Sequence, residues 1–281
     1  MTAPTEPGVY DGIPDTVYHA DRNSLSSSGA RALLPPSSPA KFRHNQDHPI
    51  FKDEFDFGHA VHKEVLGVGM KIIEVKADDW RTKAAREAKA AAHSTGKIPL
   101  LTKDLEKVHA MATAVREHPT AAQLLSNGKP EQSLYWRDQA TGIMRRARPD
   151  WMPNPNGSRM ILVDYKSANS ADKVDFAKSA GDYGYHCQAP WYLDGIRELG
   201  LDPNPAFLFV VQEKEAPYLV NVVELAPDAL ELGSQLNRIA IESYATCMQT
   251  GIWPGYGEDI KLVDLPPWIY NRNEELTNVQ S

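Results

Sequence analysis

Apolar positions recur along this chain with a helical period in the first half and a strand period in the second. Ser24–Ser28 precede the Ala/Leu run Gly29–Leu34, which reads as a capped helix start, and Pro35-Pro36 stops that helix. Pro39 opens another short helix. Phe57–Val68 is helical, with Val61, Val65 and Leu66 supplying apolar contacts and Gly58 and His62 near one face. Lys71–Val75 reads as a short strand. Asp78–Ala92, rich in Ala, Lys, Arg and Glu, is an exposed helix. Leu101–Leu125 is helical and interrupted near His118-Pro119.

The second half starts with a strand over Glu131–Trp136. A turn at Thr141-Gly142 returns the chain as a strand over Ile143–Pro149. Asn154-Pro155-Asn156-Gly157 is a turn, and Met160–Lys166 is the central strand. Val174–Leu199 is helical with a break around Gly181–Gly184. Ala206–Gln212 and Tyr218–Glu224 are strands, and Ala226–Thr250 is a long helix. The pattern predicts one α/β domain over residues 24–250. Its parts are a helical N-terminal half (24–126), a β-rich core (127–225) and a C-terminal helix (226–250). Residues 1–23 and 251–281 read as irregular. Trp253 and the other aromatics of the tail are expected to pack partly on the body, and Asn273–Ser281 to be disordered.

Composition removes several classes. The chain has 281 residues and a net charge of −7, which argues against a broad nonspecific nucleic-acid coat but not against a local basic groove. Two cysteines, Cys187 and Cys247, form no zinc or iron–sulfur pattern and suit a reducing compartment. The first residues do not read as a secretory signal, and no stretch approaches the ~20 apolar residues of a membrane span.

The chemistry concentrates at Arg148-Pro149-Asp150 and Asp164-Tyr165-Lys166. Side chains alternate along a strand, so Asp164 and Lys166 point the same way and Tyr165 the other. If Asp150 lies on the neighbouring strand, two carboxylates converge beside one ammonium. Two hard oxygen ligands suit Mg²⁺, with Mn²⁺ as a substitute, and the lysine can orient a water for phosphodiester hydrolysis. Gln188 and Tyr192 share a helix face, with Tyr185 one turn back. Arg146 and Arg148 are candidate phosphate contacts on the strand leading to Asp150.

These pieces resemble the PD-(D/E)xK (restriction-endonuclease-like) superfamily, and within it the exonuclease VIII, RecE-like, phage and prophage exonucleases. The resemblance spans roughly residues 15–225. It rests on Ser24–Ser28 with Ser38-Pro39-Ala40, Gly58–His62, Glu131–Trp136, Gly142–Asp150, Val163–Ser167 and Tyr185–Tyr192. It implies a mixed central sheet flanked by helices, with a helical N-terminal extension. It implies His62 as a metal ligand beside Asp150, Asp164 and the Tyr165 carbonyl. Glu131 would take a metal-water role, and Lys166 would be base or water-orienting group. Gln188 and Tyr192 match a QxxxY motif, and Ser167 stands where the family often has Thr, keeping a hydroxyl near the phosphate.

The resemblance further implies hydrolysis of linear double-stranded DNA, 5′→3′, leaving 3′ single strands. It implies a ring-shaped homo-oligomer, a single-strand annealing protein as partner, and a phage or prophage origin in a bacterial cytoplasm. A rival is a RecB-like nuclease on single strands, although the iron–sulfur cysteines of its CRISPR-associated branch are missing. Another is a non-cutting DNA-binding or protein-interaction protein on a nuclease fold. A metabolic enzyme finds no Gly-rich phosphate loop, GxSxG or HExxH to support it.

Overall fold

Strand β1 (Gly8–Tyr10), helix α1 (Asp15–Ala20), strand β2 (Leu25–Ser26) and helices α2 (Ser27–Ala32) and α3 (Pro39–Asp47) open the chain. This computed structural model describes residues 2–48 and 56–278, with side chains up to 274. The serines cap as their positions suggest. Ser26 Oγ accepts from the Gly29 N–H at 3.1 Å and Ser38 Oγ from the Lys41 N–H at 3.3 Å. Each satisfies an orphan donor at a helix start, an effect of about 1 kcal/mol.

The helical half continues with α4 (Asp56–Leu66), β3 (Ile72–Val75), α5 (Lys83–Ser94), β4 (Ile98–Leu101), α6 (Thr102–Glu117) and α7 (Pro119–Leu124). The core contributes β5 (Gly128–Pro130), β6 (Ser133–Arg137), β7 (Met144–Ala147), β8 (Trp151–Pro153) and β9 (Ile161–Ala168). It ends with α8 (Lys173–Tyr183), α9 (Tyr185–Glu198), β10 (Ala206–Glu213), β11 (Val220–Val223), α10 (Pro227–Thr250) and α11 (Pro267–Asn278).

Among the described residues the strands form three sheets: a mixed one ordered β11-β10-β9-β8-β5, another ordered β1-β6-β7-β2, and the pair β3-β4. β9 runs parallel to β10 and antiparallel to β8. Helices α8 and α9 make the crossover that a parallel pair requires. Both faces of β9 are covered. Leu162 joins the cluster of Trp136, Trp191, Ile196 and Phe209, while Val163 and Tyr165 join that of Val61, Met111 and Val210. Parity therefore puts Asp164 and Lys166 on the Leu162 side, toward α9.

Several expectations change. Residues 2–23 are not wholly irregular: β1 pairs with β6, Val9 opposite Leu134, and α1 buries Tyr18. The prolines and glycines there punctuate short elements. The tail is not wholly irregular either, since α11 starts at Pro267, a residue suited to a first helical turn. Disorder from Asn273 onward is contradicted as far as Asn278, and 279–281 lie outside the described residues. Trp253 does pack, its ring stacked on Phe42 at 5.7 Å. β4 was hidden by Pro99 inside an apolar run. The expected strand from Glu131 to Trp136 begins only at Ser133, because Glu131 has φ 51° and kinks the chain between β5 and β6. The expected strand to Pro149 ends at Ala147, and Asp150 immediately precedes β8. Pro149 has no N–H to give a ladder, which fits a break there.

Candidate active site

Asp164 lies within β9 rather than at its end, and it is 2% exposed. A carboxylate so buried needs partners. Gln188 Nε2, on α9, donates to Oδ1 at 2.6 Å. Lys166 Nζ lies 2.7 Å from Oδ2. That ammonium is the partner of Oδ2 among the described residues.

Asp150 converges on the same place from the position just before β8. Its Oδ2 accepts the Tyr165 N–H at 2.8 Å, which fastens the carboxylate to β9. Its Oδ1 is 3.0 Å from His62 Nε2, and His62 Nδ1 is 3.6 Å from Glu131 Oε1. Glu131 is fixed beside Asp150 by its own N–H, which donates to the Asp150 carbonyl at 3.2 Å. Tyr192 Oη donates to the Arg148 carbonyl at 3.3 Å, holding the chain just ahead of Asp150. Tyr185 lies under Lys166, whose Nζ is 4.6 Å from the ring centroid. The Tyr165 hydroxyl points to the opposite face and bonds Gln212 Oε1 at 2.6 Å.

The protonation states follow from this crowding. Burial pushes the Asp164 carboxyl up to about 6, reinforced by the Asp150 charge and opposed by Lys166. Burial also works against an ionised Asp150, but His62 and Lys166 outweigh it and hold its carboxyl below the usual range. For His62, burial favours the neutral ring, yet Asp150 and Glu131 overrule it and push the imidazole up to about 9. Lys166 is likewise raised by Asp164 and Asp150 against the opposing effect of burial. Burial raises Glu131.

Among the described residues, no three His, Cys, Asp or Glu side chains are already gathered in coordinating geometry. They are paired instead, His62 with Asp150 and Lys166 with Asp164. The donor set nevertheless fits a hard divalent cation. It has two mutually perturbing buried carboxylates and an adjacent imidazole.

A cavity of about 530 Å³ opens over this cluster. His62, Glu131, Asp150, Lys166, Tyr185, Gln188 and Tyr192 all line it. Ser167 does not; it lines an adjoining cavity. Arg146 and Arg148 line the first cavity too, and both are engaged with the N-terminal segment. Arg146 is 7% exposed and donates to the Ser24 carbonyl, Ser24 Oγ and the Asp21 carbonyl. Arg148 bonds Asp15, Ser133 and the Ile13 carbonyl. Both arginines anchor the N-terminal segment, while Arg148 Nε bonds Ser133 and Arg146 Nε has no hydrogen-bond partner among the described residues. Wall residues missed in the sequence include His19, Ser26, Arg31 and His59. The serine run before α2 and the Gly58–His62 segment gave the only signals for them.

A strand-borne Asp-x-Lys with a second aspartate beside the adjoining strand defines the PD-(D/E)xK class. The family model for a PDDEXK-like domain of unknown function (DUF3799) matches residues 37–266, and the chain belongs to that family. The fold is shared with a Eubacterium rectale protein provisionally designated an exonuclease. The TM-score is 0.60 at 10% identity, over 93% of this chain and 98% of that one. An alkaline exonuclease from Laribacter hongkongensis aligns over 71% of this chain and 97% of its own at 11% identity; its TM-score of 0.25 is too low to build on. No curated protein matches the sequence.

Proposed function

We propose that this protein is a divalent-cation-dependent exodeoxyribonuclease acting on linear double-stranded DNA. The observation that carries the reading is buried Asp164 held by Lys166 and Gln188, which line one cavity together with Asp150. His62, Asp150, Asp164 and the Tyr165 carbonyl are the groups that would hold Mg²⁺, or Mn²⁺ in its place. Bound there, such a cation supplies charge neutralisation at the scissile phosphate and a more acidic water.

The chain's own groups do the positioning. Lys166 is held protonated by its two carboxylate neighbours, so it acts as a cation that orients water and phosphate rather than as a free base. Gln188 fixes the rotamer of Asp164. Tyr192 fixes the backbone ahead of Asp150. Glu131 adds a further carboxylate at the rim, where it can accept a proton from water. Water attacks phosphorus, the bond from phosphorus to the 3′ oxygen breaks, and that oxygen leaves with a proton. The products carry 5′-phosphates.

The resemblance to exonuclease VIII enzymes supports the finer statements. These are 5′→3′ polarity, 3′ single-stranded products, a ring-shaped homo-oligomer and a single-strand annealing partner in a phage-type recombination system. That system would work in the cytoplasm of the bacterial host. The test is a linear duplex labelled separately at its 5′ and 3′ ends, with a closed circular duplex as control, in Mg²⁺. Early release of 5′ label, a persistent 3′ strand and an intact circle are expected. Cuts in the circle, or early loss of the 3′ strand, would refute the exonuclease assignment or its polarity.

A further inference from the structure

A second cavity, of about 690 Å³, adjoins the first at Lys166. Lys166, Tyr183 and Tyr185 line both, so the two form one groove with the lysine at its waist. Beyond the waist the wall carries Ser167, Asn169, Lys178 and Lys214. Among the described residues Lys178 pairs only with exposed Asp175, which lines the same wall, at 3.2 Å. Lys214 has no carboxylate partner among the described residues. In a chain of net charge −7, this is a local concentration of cations.

Tyr183 is the unexplained residue of the groove. Its side chain ends α8, just before Gly184 (φ 72°) reverses the chain into α9. It is 59% exposed. Its ring rests on Tyr185 at 5.9 Å, with planes 31° apart. Tyr185 in turn is packed on Phe176 and Phe209 at 5.9 and 5.5 Å. An aromatic face is thus offered to solvent from a rigid stack of rings, one residue from the catalytic waist and flanked by ammonium groups.

We infer that the groove beyond Lys166 is a track for single-stranded DNA. Phosphates follow Lys178 and Lys214, and a base stacks on Tyr183. Cations alone would suit a duplex equally. The exposed ring does not, because a base inside a duplex has both faces occupied by its neighbours, whereas an unpaired base has a face to give. The inference rests on the nuclease reading and deepens it: the strand in the site has left its complement where it passes Lys166.

The test measures binding of a fluorescent oligothymidylate and of a short blunt duplex in EDTA, so that no cutting intervenes. It uses the full chain and its Tyr183→Ala, Tyr183→Phe and Lys214→Gln variants. Tyr183→Ala should weaken the oligothymidylate about fivefold or more and leave the duplex nearly unchanged, while Tyr183→Phe retains wild-type affinity. Lys214→Gln should reduce the slope of log affinity against log salt by about 0.7. Equal oligothymidylate affinity for wild type and Tyr183→Ala, or no binding by either, overturns the track. Retained affinity in Tyr183→Phe, with unchanged melting temperatures, separates stacking from misfolding. Cleavage of linear duplex in Mg²⁺ is scored separately. A protein that cuts but ignores Tyr183→Ala refutes the track alone. One that shows the Tyr183 dependence but never cuts refutes the nuclease reading alone.

Discussion

His62 Nε2 stands 3.0 Å from Asp150 Oδ1. Burial acts against a charged ring, but Asp150 and Glu131 keep the imidazole protonated up to about pH 9. The pair therefore fills with a proton the charge deficit that a cation would otherwise fill.

Cation binding should accordingly release a proton. The folded value for His62 lies above the ordinary 6.5, so its stabilising effect on the metal-free fold is complete below about pH 6.5. It is lost as pH climbs through about 9. Metal-free protein should melt at progressively lower temperature across that window, while Mg²⁺ affinity rises. Calorimetry in buffers of different ionisation enthalpy reads the proton directly. His62→Gln should flatten both trends; an unchanged pH dependence in that variant would assign them to another group.

Gln188 bonds Asp164 at 2.6 Å, and hydrogen bonds to charged groups contribute about 1.5–3 kcal/mol. If Gln188 positions that carboxylate, Gln188→Ala should slow single-turnover cleavage by about ten- to a hundredfold with duplex affinity little altered. Equal rates for variant and wild type would remove Gln188 from the site.

The sequence made the centre of this site readable and left its walls obscure, for identifiable reasons. Strand parity needs only adjacent residues, so the shared face of Asp164 and Lys166 could be read directly, as could the common helix face of Gln188 and Tyr192. The partners of Arg146 and Arg148 were not readable, because parity says nothing about what covers a strand. Here the segment from Ile13 to Ser24 folds over them and accepts hydrogen bonds from both. Glu131 seemed to begin a strand because its positive φ has no signature in a non-glycine residue. His19, Ser26 and Arg31 join the cavity through contacts far apart in sequence, which periodicity cannot report. The break before α9 was visible because glycine is the residue that accepts the left-handed conformation of Gly184.

Arg145 is the buried ionic anchor of the sheet that carries β7. Its guanidinium lies 4.8 Å from the Trp136 ring centroid and 4.1 Å from that of Trp191, and it bonds Asp194 at 2.6 Å. Arg145→Ala should lower unfolding free energy by about 3 kcal/mol in a denaturant titration. Arg145→Lys should recover less than half, since a point charge cannot stack between two indoles. A loss below about 1 kcal/mol would mean that the pair is dispensable.

Helix α10 packs on α9 at Gly233, where an added Cβ would overlap the His186 carbonyl. Backbone cannot yield as a flexible side chain can. Gly233→Ala should therefore destabilise by roughly 2–4 kcal/mol despite the better helix propensity of alanine. A neutral or stabilising change in melting temperature would show that the helices can separate freely there.

The central claim is that the carboxylate pair beside Lys166 hydrolyses DNA. Its most direct test is single-turnover cleavage of linear duplex in Mg²⁺ by the wild type and by Asp164→Asn, with duplex binding followed in parallel. Nucleotide release by the wild type, and none by a variant that still binds, is the predicted result. A variant that cuts as fast as the wild type, or a wild type that binds and never cuts, would contradict it.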